Sequence, residues 1–222
     1  MSPAQPNQSI LAGLDVLQEV IAAGRPVGSR EVARRLGIEH SRANRVLGTL
    51  ESGGMLVQDE QSKYLPGPRI HVLSALSLHA SGLVPAALPE LGRFLQEGAT
   101  VALGTLWRET VVYLLHANPG DDLAATAGAH QSYPRHKSII GSLLDTRVNA
   151  DAASAICETH PDRSERSWAA RIRGGGAAAI AIVLPVNHPA ADPPEVMLER
   201  VAAAAERIAE TVAVARQPQP QE

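Results

Sequence analysis

Residues 39–52 read EHSRANRVLGTLES, with apolar side chains at Ala43, Val46, Leu47 and Leu50. This i, i+3, i+4, i+7 spacing predicts a helix with one buried face. At about 100° per residue, the opposite side is centred on Ser41, Arg45 and Gly48, with Arg42 and Asn44 on its shoulders. A generic solvated face carries Glu–Lys pairs four residues apart. This one carries hydrogen-bond donors and, at Ser41 and Gly48, very little side chain. Glycine inside a helix costs about 0.5–1 kcal/mol relative to alanine, so Gly48 predicts the close approach of another backbone.

The flanking segments place this helix in a larger unit. Apolar residues at 10, 11, 14, 17, 20 and 21 predict a helix over 9–23, opened by Ser9 as N-cap and closed by Gly24. Gly24-Arg25-Pro26 reads as a turn. Ser29 then caps a short helix, 30–36, whose Val32, Ala33 and Leu36 face inward and whose end is Gly37, suited to a left-handed cap. Beyond Gly53-Gly54, two short apolar stretches, 55–58 and 63–66, flank the polar Asp59-Glu60-Gln61-Ser62 and predict a β-hairpin. Helix, helix–turn–helix and hairpin, in that order, describe a winged helix-turn-helix, which sets its second helix of the pair into a DNA major groove.

On these residues the stretch from Ser9 to Ala75 resembles the DNA-binding domain of the IclR family of bacterial transcription regulators. The resemblance runs through Arg45 in the middle of the recognition helix, through Leu47, Leu50 and Gly54, and through the Tyr64-Leu65-x-Gly67-Pro68 exit from the wing. By their chemistry, Arg42 and Arg45 suit guanine O6/N7 and Asn44 suits adenine N6/N7. Ser41 and the free amides beside it suit a phosphate, and Lys63, Arg30 and Arg34 are further phosphate contacts. The alternative reading of the unit is a dimerisation or protein-interaction module, with a sensor domain, that does not touch DNA itself; a ligand carrier is a third.

Charge alone does not choose between these. The chain has 20 Lys+Arg and 23 Asp+Glu, a net −3. Residues 1–80 hold eight basic and seven acidic side chains, so the placement of the arginines must decide. Hydrophobic residues at 45% exclude a disordered chain, and aromatics at 3% mean a core of Ala, Leu, Ile and Val. The single cysteine, Cys157, excludes an internal disulfide framework and a Cys-based zinc cluster. The longest apolar run, 177–186, is short of a membrane span, and the N-terminus lacks a secretory pattern. The expectation is a cytoplasmic protein with no membrane partner.

Residues 69–80 predict a linker helix with surplus leucine. A second protomer is one partner for that surface, and its own domain is the other. A homodimer or homotetramer also fits a double-stranded DNA operator with two half-sites. After a helix at 84–96, the pattern changes to strands at 100–106, 110–116 and 123–127. A helix follows from Ser138, then apolar runs at 168–173 and 177–186 around Gly174-Gly175-Gly176, and a last helix at 195–216 with Val196, Leu198, Val201, Ala205, Ile208 and Val212 inward. The mixture predicts an α+β class. The domain reading is a disordered 1–8, a winged helix-turn-helix at 9–68, a linker helix at 69–81, an effector domain at 82–216 and a disordered tail at 217–222.

The family resemblance extends to this second domain and implies a GAF-like fold with a small-molecule effector. Pro134-Arg-His136-Lys-Ser138-Ile-Ile-Gly141 corresponds to the segment that lines the effector pocket in the family. In that pocket Ala181 and Val183 occupy positions where members with acid ligands often carry serines, and no acidic or cysteine pocket residue is identifiable between 141 and 168. The departures predict an apolar or altered effector, or a degenerate sensor.

Catalytic chemistry is not expected. Gly174-x-Gly176-x-x-Ala179 matches a dinucleotide fingerprint on paper, but β-rich residues follow it where the fingerprint needs a helix. His130 and His136 lack a carboxylate or third ligand at useful spacing, so neither a metal nor a cofactor is expected.

Overall fold

The computed structural model describes residues 5–128, 131–145, 153–174 and 176–215. They divide into two compact units, 1–77 and 78–222, with the division inside a helix.

The first unit is a winged helix-turn-helix. Helix α1 (Gln8–Ala22) is capped by Asn7, whose Oδ1 accepts from the amides of Ser9 and Ile10, so Asn7 takes the cap expected of Ser9. Helix α2 (Ser29–Leu36) starts after Gly28 and ends at Gly37, which has φ of 63°. Ser29 is therefore the first helical residue, and its hydroxyl bonds His40 at 2.9 Å. Helix α3 (His40–Ser52) leads to the antiparallel strands β1 (Leu56–Gln58) and β2 (Tyr64–Pro66). Val16, Leu17, Val20, Val27, Val32, Leu47, Leu56 and Tyr64 make the core. The buried face of α1 is thus 16, 17 and 20; Ile10, Leu11, Leu14 and Ile21 are exposed.

Helix α4 (Pro68–Ser81) crosses the division between the units, and none of its residues is buried. Every residue from 71 to 80 is exposed.

The second unit is α+β. Helix α5 (Leu83–Gln96) precedes strands β3 (Thr100–Trp107) and β4 (Thr110–Ala117). Residues 124–126, expected in a strand, form a 3-10 turn, and the strand is β5 (Gln131–Pro134). Asp122 explains the difference: its carboxylate accepts from the amides of Ala124 and Ala125, which turns the backbone. Helix α6 (Ile139–Leu144) follows, then β6 (Ala155–His160), β7 (Glu165–Arg171), β8 (Ala178–Pro185) and helix α7 (Pro194–Ala215). The six strands form one antiparallel sheet in the order β5-β4-β3-β8-β7-β6.

The sheet is covered on both faces, and β8 records this in its sequence. Ile180, Ile182 and Leu184 join Trp168, Leu103 and Leu115 in a core with α5 and α7. Ala179 and Ala181 turn the other way, to Ile139, Ile140 and Leu143 of α6. Two buried faces remove the alternation that a half-solvated strand would show. On α7 the buried set is Met197, Val201, Ala204, Ala205, Ile208 and Val212. Val196, expected inside, is 52% exposed. Among the described residues no single helix is long and apolar enough to cross a membrane. Part of the expected disordered N-terminus (1–4), His130, Gly175 and the expected tail at 217–222 lie outside the described residues.

Candidate functional site

The first candidate surface is the outer side of α3. Ala43 and Leu47 anchor the helix in the core, and this aims Ser41, Arg42, Asn44 and Arg45 outward, all exposed. The side chains of Arg42, Asn44 and Arg45 have no hydrogen-bond or ion-pair partner among the described residues, nor have those of Arg30 and Arg34 of α2. Arg35 contrasts with them: its guanidinium reaches Glu19 at 2.7 Å and Glu31 at 2.6 Å, stapling α2 to α1. Arg25 bonds the same Glu31, and that hydrogen bond holds the Glu31 carboxyl below the usual carboxylate range. Position alone therefore separates the arginines that hold the fold from those left available.

A Cβ built at Gly48 meets nothing within 4 Å. Among the described residues no backbone comes close there, so the space is open from outside. Two expected phosphate contacts are modified by their surroundings. Ser41 Oγ donates to Glu39, the N-cap residue of α3, at 3.4 Å. Lys63 Nζ donates to Gln61 at 3.0 Å, on a wing whose tip also carries Asp59 and Glu60.

The second candidate site is a cavity of about 590 Å³ on the α6 side of the six-stranded sheet. The sheet register builds its floor. One row runs His116–Ala102–Ala181–Ala169, and the next runs Thr100–Val183–Ser167–Glu158. Small side chains at 102 and 181 leave the floor low. Val101, Asn118, Tyr133, residues 136–139 and 159–163, Ser142 and Glu165 add to the lining.

At one end, a register shift between Leu103 and Gly104 brings Tyr113 and His116 to the same face. Their rings stack at 5.4 Å, and Tyr133 lies 5.4 Å from Tyr113 on the other side. Gly104 is needed here, because a Cβ would stand 2.9 Å from Tyr113 Cδ1. The Tyr113 hydroxyl and Ser138 Oγ are 2.9 Å apart. Burial pushes the Tyr113 phenol up and the His116 imidazole down, so at neutral pH both are uncharged hydrogen-bonding groups.

Of the residues expected from the sequence, His136, Ser138, Ala181 and Val183 line this cavity. Pro134 is exposed at the end of β5 and does not. Gly141 is buried, and a Cβ on it would run into the Arg135 carbonyl; it lets α6 sit on the 135–137 turn and borders a neighbouring cavity with Arg135, Asp145 and Cys157. Of the alternatives expected here, an apolar or altered effector or a degenerate sensor, the lining speaks against the apolar one. Tyr113, His116, Ser138, Glu158, His160 and Ser167 make the lining polar. Ser167 is only 4% exposed and its hydroxyl has no partner among the described residues. It sits beside Val183 in register, so the hydroxyl missing on β8 is present one strand over, with the acid Glu158 next to it.

These residues escaped sequence reading because β6 has no strand signature: its cavity face is Ile156, Glu158 and His160, which blurs the alternation. The usable signal was Ser167, the short polar residue immediately before the apolar run that begins at Trp168. The Gly174–Gly176 stretch leads into strand β8 and not into a helix, so it lacks the geometry of a dinucleotide site. Among the described residues no three His, Cys, Asp or Glu side chains converge as metal ligands.

Residues 9–60 match the IclR helix-turn-helix domain. The HTH-type transcriptional regulator BhcR of Paracoccus denitrificans is 32% identical over 133 residues, 59% of this chain and 47% of that protein. The match thus spans about half the length of that relative. A crystallised IclR family transcriptional regulator from Brucella abortus superposes with a TM-score of 0.68 at 16% identity, over 97% of this chain and 94% of that one. An IclR homolog from Microbacterium hydrocarbonoxydans, crystallised with 4-hydroxybenzoate, gives 0.59 at 20% identity, over 92% and 99%.

Proposed function

We propose, from the premise that this chain belongs to the IclR family, that it is a sequence-specific DNA-binding transcription regulator whose second unit takes a small-molecule effector. The observation that carries this reading is the outer side of α3. Arg42, Asn44 and Arg45 are exposed and unpaired among the described residues, while Arg35, on the preceding helix, is fully engaged. An unpaired Arg–Asn–Arg cluster on a helix anchored by its other face suits base edges in a major groove. Arg30 and Arg34 at α2, with Ser41 and Lys63, are the phosphate contacts of this reading, which position the helix without reading sequence.

The domain division proposed is a DNA-binding unit at 9–68, a linker helix at 69–81 and an effector domain at 82–216. Helix α4 supports a homodimer, because Val72 (56%), Leu73 (43%), Leu76 (60%) and Leu78 (37%) are left exposed along one short helix. A second copy covering them would also supply the second half-site reader. The cavity above the sheet is proposed as the effector site, lined by His136, Ser138, Ala181, Val183, Tyr113, Glu158 and Ser167. Its size accommodates a molecule such as the 4-hydroxybenzoate of the Microbacterium homolog. The effector acts only insofar as it binds two arrangements of the dimer with different affinity. The proposed role is non-enzymatic and intracellular.

The test is selection of duplexes from a random-sequence pool by the full chain. Enrichment of a site with two related half-sites about 34 Å apart, lost in Arg45→Ala, is the expected result. A pool that stays random after repeated rounds would remove the DNA-reading role and favour the protein-interaction alternative.

A further inference from the structure

Charge is unevenly distributed around the cavity. Its half-buried charged side chains are carboxylates, Glu158 of β6 and Glu165 of β7, on the same face of the sheet as Ser167. The permanent cations of the lining, Lys137 and Arg163, are both exposed, as is Asp162. His160 Nε2 lies 3.9 Å from Glu158, outside a tight ion pair. Among the described residues the inner lining therefore presents acids and no permanent cation. A carboxylate ligand drawn into it would face like charge without a fixed partner, which is costly away from bulk water.

The other end of the cavity is aromatic. The stacked Tyr113 and His116, with Tyr133 beside them, form a π-rich wall on β4 and β5. Between the two ends lies Ser167, more than nine-tenths buried, its hydroxyl on the cavity lining and without a partner among the described residues. Acid at one end, aromatic faces at the other and a hydroxyl donor between are the elements that recognise an organic cation.

Resting on the reading of this cavity as the effector site, we infer that it takes an organic amine with a flat, hydroxyl-bearing body. Glu158 holds the ammonium with Glu165 behind it, Ser167 bonds the body, and Tyr113 with Tyr133 covers its ring. The relaxed requirement at Ala181 and Val183 follows, since no carboxylate has to be held on β8.

Tyramine and 3-(4-hydroxyphenyl)propionate test this, because they share ring, hydroxyl and spacer and carry opposite charge. In calorimetric titrations of the full chain at neutral pH, tyramine binds in the millimolar range or tighter, and the propionate roughly tenfold or more weaker. Glu158→Gln loses most of that preference, and Ser167→Ala weakens both ligands by a similar factor. If Glu158→Gln lowers the melting temperature, Glu165→Gln and the salt dependence of tyramine binding carry the same comparison. Tighter binding of the propionate, no heat from either compound, or wild-type tyramine affinity in both glutamine variants would overturn the assignment. Operator binding by the unliganded protein is measured separately. Its absence would remove the regulator reading and leave the calorimetric comparison intact.

Discussion

Gly48→Ala separates the fold from the function of α3. In the free protein a methyl group at residue 48 meets nothing within 4 Å, and the backbone there is ordinary helix within His40–Ser52. Replacing glycine with alanine in an open helix interior gains about 0.5–1 kcal/mol, largely by restricting the unfolded chain. For a unit of this size that corresponds to roughly 2–8 °C in its melting temperature. With α3 in a major groove, Ser41, Arg45 and Gly48 form the stripe that approaches the duplex, and the added methyl is forced into a closed contact. Such overpacking costs about 1–3 kcal/mol, or roughly 5- to 150-fold in operator affinity. The two effects have opposite sign. Thermal unfolding of the full chain by circular dichroism reads the first, and fluorescence anisotropy on the selected operator reads the second. Gly92→Ala, in α5 with equally open space around its Cβ, is the control: it stabilises its own unit and leaves operator affinity unchanged. A more stable Gly48→Ala protein that binds operator as tightly as wild type would show that this stripe does not enter the groove.

Other substitutions probe the same surfaces. Arg45→Ala weakens specific operator binding by about 1–3 kcal/mol without lowering stability, because the side chain has no partner in the protein. Arg35→Ala does the reverse, lowering the melting temperature through loss of the Glu19 and Glu31 bridges while base preference is retained. Lys63→Ala reduces the salt slope of DNA binding by about one unit and leaves sequence preference unchanged. For His116, burial lowers the folded pKa below the unfolded value of about 6.5, so the folded form holds fewer protons. Its contribution is present above that value and is lost as pH falls below it. His116→Asn therefore flattens the fall in stability between neutral and mildly acidic pH, measured by urea unfolding across that range; an unchanged profile would mean that His116 is not kept neutral.

Much of the first unit was legible because its signals are local. The 43/46/47/50 spacing, Gly37 at a left-handed cap and the polar turn between two short apolar stretches each specify backbone within a few residues, and the folded unit carries each of them. Where a local reading failed, a competing neighbour decided. Asn7 displaced Ser9 at the cap of α1 because its carboxamide reaches two amides, and Asp122 curled 124–126 away from a strand. The cavity was less legible. Its lining comes from β3, β4, β5, β6, β7 and β8 with the turns between them, and the polar partner of Val183 is Ser167, sixteen residues earlier and adjacent only through strand register.

From its residues alone, this chain determined the helices and the hairpin of its first unit, and which face of α3 goes inward, because helical and strand periods are properties of consecutive side chains. Tertiary structure decided which arginines are consumed by ion pairs and which remain available, and what lines the cavity. Both depend on groups far apart in sequence meeting across the fold, and the cost of burying or pairing a charge is set by those neighbours and not by its own residue type.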